Sequence, residues 1–153
     1  MKPPPSALAE KDMPSAELQR LWFATLKKDW NSLVVIPAHP GGAATSVARA
    51  LAQVAAVHKD QPIKLISGEG ADLQNASRLI IDMTTHVASG GLVILVLESI
   101  VSNPAGIPVA LAADAALLCV QLGETDFESA ERTVELIGES RFVGAVTLDL
   151  KKN

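Results

Sequence analysis

Residues 36–52 read IPAHPGGAATSVARALA. A short apolar strand, Leu33 to Ile36, runs into a Pro/Gly-rich turn and then an Ala-rich helix opening at Thr45-Ser46. A strand–loop–helix unit of this kind gathers backbone N–H groups and the positive end of a helix dipole around an anion. Set on the pattern G-x-x-x-x-G-K-[ST], the first Gly falls at Ala38 and the second at Ala43. The Lys falls at Ala44 and the hydroxyl residue at Thr45. The outline of a phosphate loop is present, and the lysine that reaches the β- and γ-phosphates is absent.

Working outward from that loop, five apolar runs recur at fairly regular intervals, at 33–36, 63–66, 92–97, 116–121 and 143–148. None alternates cleanly, and 92–97 (LVILVL) is apolar throughout, the mark of strands covered on both faces. Between them lie helical stripes. Val47, Ala48, Leu51, Ala52 and Ala55 form the first, and Ala76, Leu79, Ile80, Met83 and Val87 the second. A third helix over 126–139 turns Ala130, Val134 and Ile137 inward and Glu131, Arg132 and Glu135 outward. The stripe through 76–87, stopped by Ser89-Gly90-Gly91, makes IIDMTT a piece of helix rather than a strand ending in Asp82. Strands alternating with helices over short links predict one α/β domain over 15–150: a doubly wound, mostly parallel five-stranded sheet with helices on both faces.

Before that domain, residues 1–14 hold four of the nine prolines and several charges, so a disordered or extended tail is expected. Ser15 is placed to cap a helix through about Lys28, with Leu18, Leu21, Trp22, Thr25 and Leu26 on one face. Trp22, Phe23 and Trp30 fall in this entry segment, which reads as a helix packed on the edge of the core.

Length and composition narrow the functional classes. A chain of 153 residues buries a real core, here 48% hydrophobic but only 3% aromatic, so Ala, Val, Leu and Ile must build it. A formal charge of −4 leaves no basic face for nucleic acid. The single Cys119 lies inside an apolar run and reads as a small buried hydrophobe. No signal-peptide pattern and no run of membrane-spanning length are present, so a cytoplasmic protein is expected.

In open parallel sheets, ligands sit at the carboxyl ends of the strands. The segments that fall there are 39–46, 67–72, 98–107, 123–126 and 149–153. Gly41, Gly42, Thr45 and Ser46 are the residues that would hold a residual nucleotide or anion, although the two glycines suit a tight turn with or without a ligand. Thr45 takes the position of the Mg²⁺-binding hydroxyl, and with Ser46 it reads first as an N-cap pair. His39 is a candidate anion partner whose plainer reading is a solvated side chain, and Arg49 reads as solvent-facing.

The order of these motifs resembles a known family. The stretch AELQRLWFATLKKDWNSLVVIPAHPGGAATSVARALAQVAA looks like the start of a bacterial tyrosine kinase domain of the exopolysaccharide/capsule type. That family is part of the deviant P-loop group with the division-site and plasmid-partitioning (MinD/ParA-like) ATPases. Ala113-Asp114-Ala115, Gly123-Glu124-Thr125 and Val143-Gly144-Ala145-Val146 carry the match through the second half, and the whole covers roughly 16–148. The resemblance implies a P-loop NTPase-like fold.

The departures from the family pattern are concentrated in its chemistry. Ala44 stands for the lysine, and Ala43 for the glycine before it. SGEG at 67–70 stands where the family carries acids for Mg²⁺ and water positioning, leaving Glu69 or Asp72 as substitutes. The third-strand Asp falls at Val96 or at Glu98, according to the alignment. The chain contains no Tyr, so a tyrosine-rich autophosphorylation tail is missing. Phosphoryl transfer needs positive charge at the γ-phosphate and oxygen ligands for Mg²⁺. The sequence therefore predicts a non-catalytic member with no catalytic residue, metal or cofactor, ATP and Mg²⁺ being doubtful ligands. It would act by protein contact in exopolysaccharide, capsule or cellulose assembly. The expected partner is a membrane polysaccharide co-polymerase, a synthase or an active paralogue, which would recruit the chain to the inner membrane, and homo- or hetero-oligomers fit the same reading. Its alternatives are a weak nucleotide-binding ATPase of the same fold, using Thr45 with Glu69 or Glu98, and an α/β regulatory domain unrelated to polysaccharide.

Overall fold

All five strands are parallel, and across the sheet they run second, third, first, fourth and fifth in chain order. The computed structural model describes residues 16–40, 44–123 and 126–148. The expected N-terminal tail, the Ser15 cap, Gly41 and Gly42 lie outside those residues. The strands are β1 (Ser32–Pro37), β2 (Ile63–Ser67), β3 (Leu92–Val96), β4 (Ala115–Gln121) and β5 (Phe142–Leu148). The helices are α1 (Ala16–Thr25), α2 (Ala44–His58), α3 (Leu73–Ala88), α4 (Gly106–Ala112) and α5 (Phe127–Ile137), with a 3₁₀ turn at Glu139–Arg141.

Every residue of β1 and of β3 is buried, as their unbroken apolar runs predict for central strands. Alternate side chains feed two separate cores. Leu33 and Val35 of β1 join Ile94 of β3, Leu117 of β4 and the α2 stripe of Val47, Ala48, Leu51 and Ala55. Val34 and Ile36 join Leu95, Ile66, Met83, Val109 and Ile137 on the opposite face. Thus α1 and α2 cover one face, and α3, α4 and α5 the other. The near absence of aromatics from the sheet lets the two layers sit on Ala-rich helix faces.

The entry helix is confirmed as a packing element. Trp22 is fully buried in the first core, edge-on to Trp30 with ring centroids 5.8 Å apart, and its face stacks on His58 at the end of α2. The helix is shorter than its sequence suggests. It ends at Thr25, whose hydroxyl bonds back to the Trp22 carbonyl, and Leu26 falls on a following turn, partly exposed.

One helix escaped the sequence reading. α4 occupies 106–112, overlapping the strand-end segment 98–107 and outside the three helical stripes read from the sequence. Pro108 sits in its first turn, where the missing N–H has no intrahelical partner to lose. The helix is a short crossover rather than an amphipathic stripe, which explains its weak periodicity.

At the amino edge of the sheet, Asp114 ties β1 to β4. Its carboxylate accepts from the Asn31 and Ser32 N–H groups at 2.8 and 3.2 Å, and Ser32 Oγ accepts from the Asp114 N–H. This Ala-Asp step is therefore a strand anchor at the end of the sheet remote from the phosphate-loop position. No helix among the described residues is long and apolar enough to cross a membrane.

Candidate functional site

The crossover from β1 runs through α2 on one face, whereas the crossovers from β2, β3 and β4 run over the other. The strand order consequently reverses at the carboxyl ends of β1 and β3, where a parallel sheet opens a crevice. Backbone bonds from Gly68 N to Val96 O (2.7 Å), Leu97 N to Val35 O (3.0 Å) and Ala38 N to Cys119 O (2.9 Å) knit the strand ends across it.

Helix α2 opens at Ala44, earlier than the sequence reading placed it, so Thr45 and Ser46 lie inside its first turn instead of capping it. The Thr45 hydroxyl is turned to the next loop, where it donates to Glu69 Oε2 at 3.2 Å. No acidic residue lies in the first turn of α2. Glu69 arrives from the β2–α3 loop and supplies a negative charge near the positive end of that helix. Two positions mapped to the phosphate-loop chemistry are apolar. Ala44, standing for the phosphate-loop lysine, and Val96, one of the two positions aligned with the third-strand Asp, are both buried in the same core cluster.

The other aligned position, Glu98, does different work. Its Oε2 accepts from the Gly70 N–H at 2.8 Å, and its Oε1 accepts from the Asn103 side-chain amide, also at 2.8 Å. Asn103 donates as well to the Ala71 carbonyl at 3.0 Å, while its own oxygen accepts from Ala105 N. The carboxylate thus staples the loop after β2 to the loop after β3. The Asn103 amide, and after it the Gly70 N–H, hold the Glu98 carboxyl below its ordinary value. Gly68 lets these loops meet: a Cβ there would lie 2.9 Å from Leu97 Cδ2 and 3.0 Å from the Val96 carbonyl oxygen.

On the other side of the crevice Asp126 caps α5, accepting from Ser129 N at 2.6 Å. The Ser129 backbone and then side-chain hydrogen bonds lower the Asp126 carboxyl, with a smaller contribution from the charge of His39. His39 therefore lies within electrostatic reach of the Asp126 carboxylate. Arg49 is exposed, as expected, and Asp72 is the cap of α3, accepting from Asn75 N at 2.8 Å. Cys119 is buried, and burial pushes its thiol up to about 12, so it is a hydrophobe here and not a nucleophile.

Around this carboxyl edge the surface carries apolar side chains. Leu73 opens α3 and Phe127 opens α5, exposed to 77% and 79%, and Val101 and Leu122 lie in the loops after β3 and β4 at 43% and 49%. A shallow cavity of about 290 Å³ lies among Val101, Glu128, Ser129 and Arg132. A smaller one, about 140 Å³, is lined by Ser67, Glu69, Asn75, Arg78 and Asp82 among others. Among the described residues no group of three or more His, Cys, Asp or Glu side chains is placed to share a metal ion.

Of the sequence-derived site residues, Thr45 joins Glu69, whereas Ser46 is exposed. Asn103 was not singled out by sequence. Its only signal is a Ser-Asn-Pro turn after a buried strand; it meets Glu98 within its own loop, five residues away, while its bond to the Ala71 carbonyl depends on how that loop meets the one after β2.

No protein-family model matches the sequence, and no curated protein matches it either. Solved structures do. The chain is similar to the kinase domain of the Escherichia coli tyrosine kinase ETK, with a TM-score of 0.70 and 14% identity, over 88% of this chain and 74% of that one. It is also similar to the chimerical protein CapA2B2, with a TM-score of 0.72 and 12% identity, over 94% of this chain and 89% of that one. The chain thus shares with these structures a parallel α/β, P-loop NTPase-like fold.

Proposed function

We propose that this chain is a non-catalytic, P-loop-like accessory or regulatory protein of bacterial exopolysaccharide, capsule or cellulose assembly, working through protein contact at the carboxyl edge of its sheet. The observation that carries the reading is the character of that edge. Leu73, Val101, Leu122 and Phe127 stand exposed on it. Large exposed apolar side chains gathered on one edge suit a protein contact better than a polyphosphate. The buried Ala44 and Val96 support the same reading, because the positions of the ammonium and of a metal-binding carboxylate are filled by core. A polysaccharide context is supported by the fold shared with the ETK kinase domain and by the sequence resemblance above. The partner in this reading is a membrane polysaccharide co-polymerase, a synthase or an active paralogue.

Calorimetric titration with Mg·ATP tests the non-catalytic part. The expected result is no saturable heat, and micromolar binding with hydrolysis lost in Thr45→Ala would overturn it. The contact part is tested by capture of the cytoplasmic segment of a co-encoded polysaccharide co-polymerase. Phe127→Glu and Leu122→Glu should abolish capture while leaving the fold intact, and unchanged capture by both would remove the edge from the proposal.

A second reading has one observation in its favour. Thr45 and Glu69 lie side by side at the head of α2, a hydroxyl and a carboxylate of the kind that hold Mg²⁺. Weak nucleotide binding there predicts a rise in Tm with millimolar Mg·ATP, since a ligand of the folded state alone stabilises it. Equal Tm with and without nucleotide counts against it.

A further inference from the structure

The smaller cavity, about 140 Å³, lies where the end of β2 and the loop after it meet α3. Its polar lining comes from Ser67 and Glu69 on the sheet side and from Asn75, Arg78 and Asp82 on the helix. Those three helix residues follow one another at i, i+3 and i+7, so they stand in one row along α3. Ala71 and Leu79, both half-buried, supply the apolar lining, and Leu79 rests on the second core.

The fold does not use up these polar groups. Among the described residues, the Arg78 guanidinium, the Asp82 carboxylate and the Asn75 side-chain amide enter no hydrogen bond or ion pair. The Ser67 hydroxyl accepts from the Glu69 N–H at 3.4 Å and keeps its own proton to donate. Glu69 holds Thr45 with Oε2, which leaves Oε1 to accept. The cavity thus offers donors from Ser67, Asn75 and Arg78 and acceptors from Glu69, Asn75 and Asp82.

That balance selects the chemistry of a ligand. An anion paired with Arg78 would face two carboxylates, and a cation paired with either carboxylate would face the guanidinium. A hydroxyl both donates and accepts, so a neutral molecule with hydroxyls on adjacent carbons satisfies both kinds of group at once. Size narrows the class further. A cavity of about 150 Å³ admits benzene, so 140 Å³ has room for one six-membered ring. We infer that this cavity is a binding site for a neutral sugar. One pyranose ring sets its hydroxyls on the polar row of α3 and its C–H face on Ala71 and Leu79. The site is separate from the carboxyl-edge contact proposed above and does not depend on it, since Leu73, Val101, Leu122 and Phe127 do not line it.

Titration of the isotope-labelled full chain with the methyl glycosides of glucose, galactose and mannose, up to tens of millimolar, tests it by NMR. The expected result is saturable shifts at Ser67, Gly68, Ala71 and the Asn75 side-chain amide with at least one of the three. Arg78→Ala and Asp82→Ala, both at exposed positions, should each weaken that binding about tenfold, the loss of one hydrogen bond to a charged group, with an unchanged circular dichroism spectrum. Phe127→Glu, which probes the protein contact, should leave it unchanged. No saturable shift with any of the three glycosides would overturn the inference, as would shifts that lie elsewhere or an affinity kept in both alanine variants. So would inorganic phosphate moving the same amides while the glycosides do not.

Discussion

The Thr45 hydroxyl and the Glu69 carboxylate, 3.2 Å apart, join the first turn of α2 to the loop that follows β2. Where a phosphate loop would present its hydroxyl to a metal and its helix dipole to a phosphate, this chain presents both to its own side chain. The pair is exposed, so water competes with it and its worth is small. A double-mutant cycle of Thr45→Val and Glu69→Gln in urea should return a coupling of about 0.5 kcal/mol. A coupling of several kcal/mol would mark the pair as a structural keystone and not a vestige.

Gly68 is fixed by a close approach and not by a special dihedral. An added Cβ would press on Leu97 and, less yieldingly, on the backbone oxygen of Val96. That oxygen also accepts the Gly68 N–H at 2.7 Å, so the backbone cannot retreat without loosening the joint between β2 and β3. Gly68→Ala should cost about 1–3 kcal/mol in chemical denaturation. Gly70→Ala in the same loop adds no clash but is strained by its φ of +74°, which makes it the control for backbone conformation alone.

Acid should loosen the carboxyl edge first. The Asn103 amide and the Gly70 N–H hold the Glu98 carboxyl below its ordinary 4.5, and the Ser129 N–H does the same for Asp126 from 3.8. A carboxyl whose folded value is depressed adds stability that is complete above its unfolded value and is lost as pH falls through the folded one. The urea midpoint should therefore drop as pH is lowered from about 5 towards 3. In Glu98→Gln that drop should be shallower, because one of the two groups no longer titrates. Faster amide exchange at Gly70 in the same variant would locate the loss at the staple, and identical pH profiles would remove Glu98 from the account.

The elements of this fold differ in how openly the sequence declares them. β1 and β3 are the plainest, since short runs as rich in β-branched residues as SLVVI and LVILV suit strands covered on both faces. The α2 and α3 stripes are equally plain in their 3.6-residue spacing. α4 is hidden because its seven residues, GIPVALA, are all apolar and include a first-turn proline, so no polar face marks a helix. The site was legible as a place and not as an arrangement. Strand ends and the motif mapping located Thr45, Glu69 and Glu98, but Thr45 meets Glu69 across 24 residues of sequence and Glu98 meets Gly70 across 28. Which of two glutamates meets Thr45 is set by the register of β2 on β3, and no local pattern encodes it.

Cys119 offers a readout of the whole core. It lies in β4 within the first hydrophobic cluster, and burial pushes its thiol up to about 12. Only the thiolate attacks a disulfide reagent, and the side chain is also out of reach in the folded state. At pH 8 the native protein should therefore leave Ellman's reagent almost unreacted, and labelling should follow the fraction unfolded as urea is added. Because β4 lies between β1 and β5, local fraying should not expose it. Labelling that outpaces the loss of helical signal would show that β5 leaves the sheet before the rest unfolds. Cys119→Ala should keep the fold while abolishing the signal, which ties the readout to this single thiol.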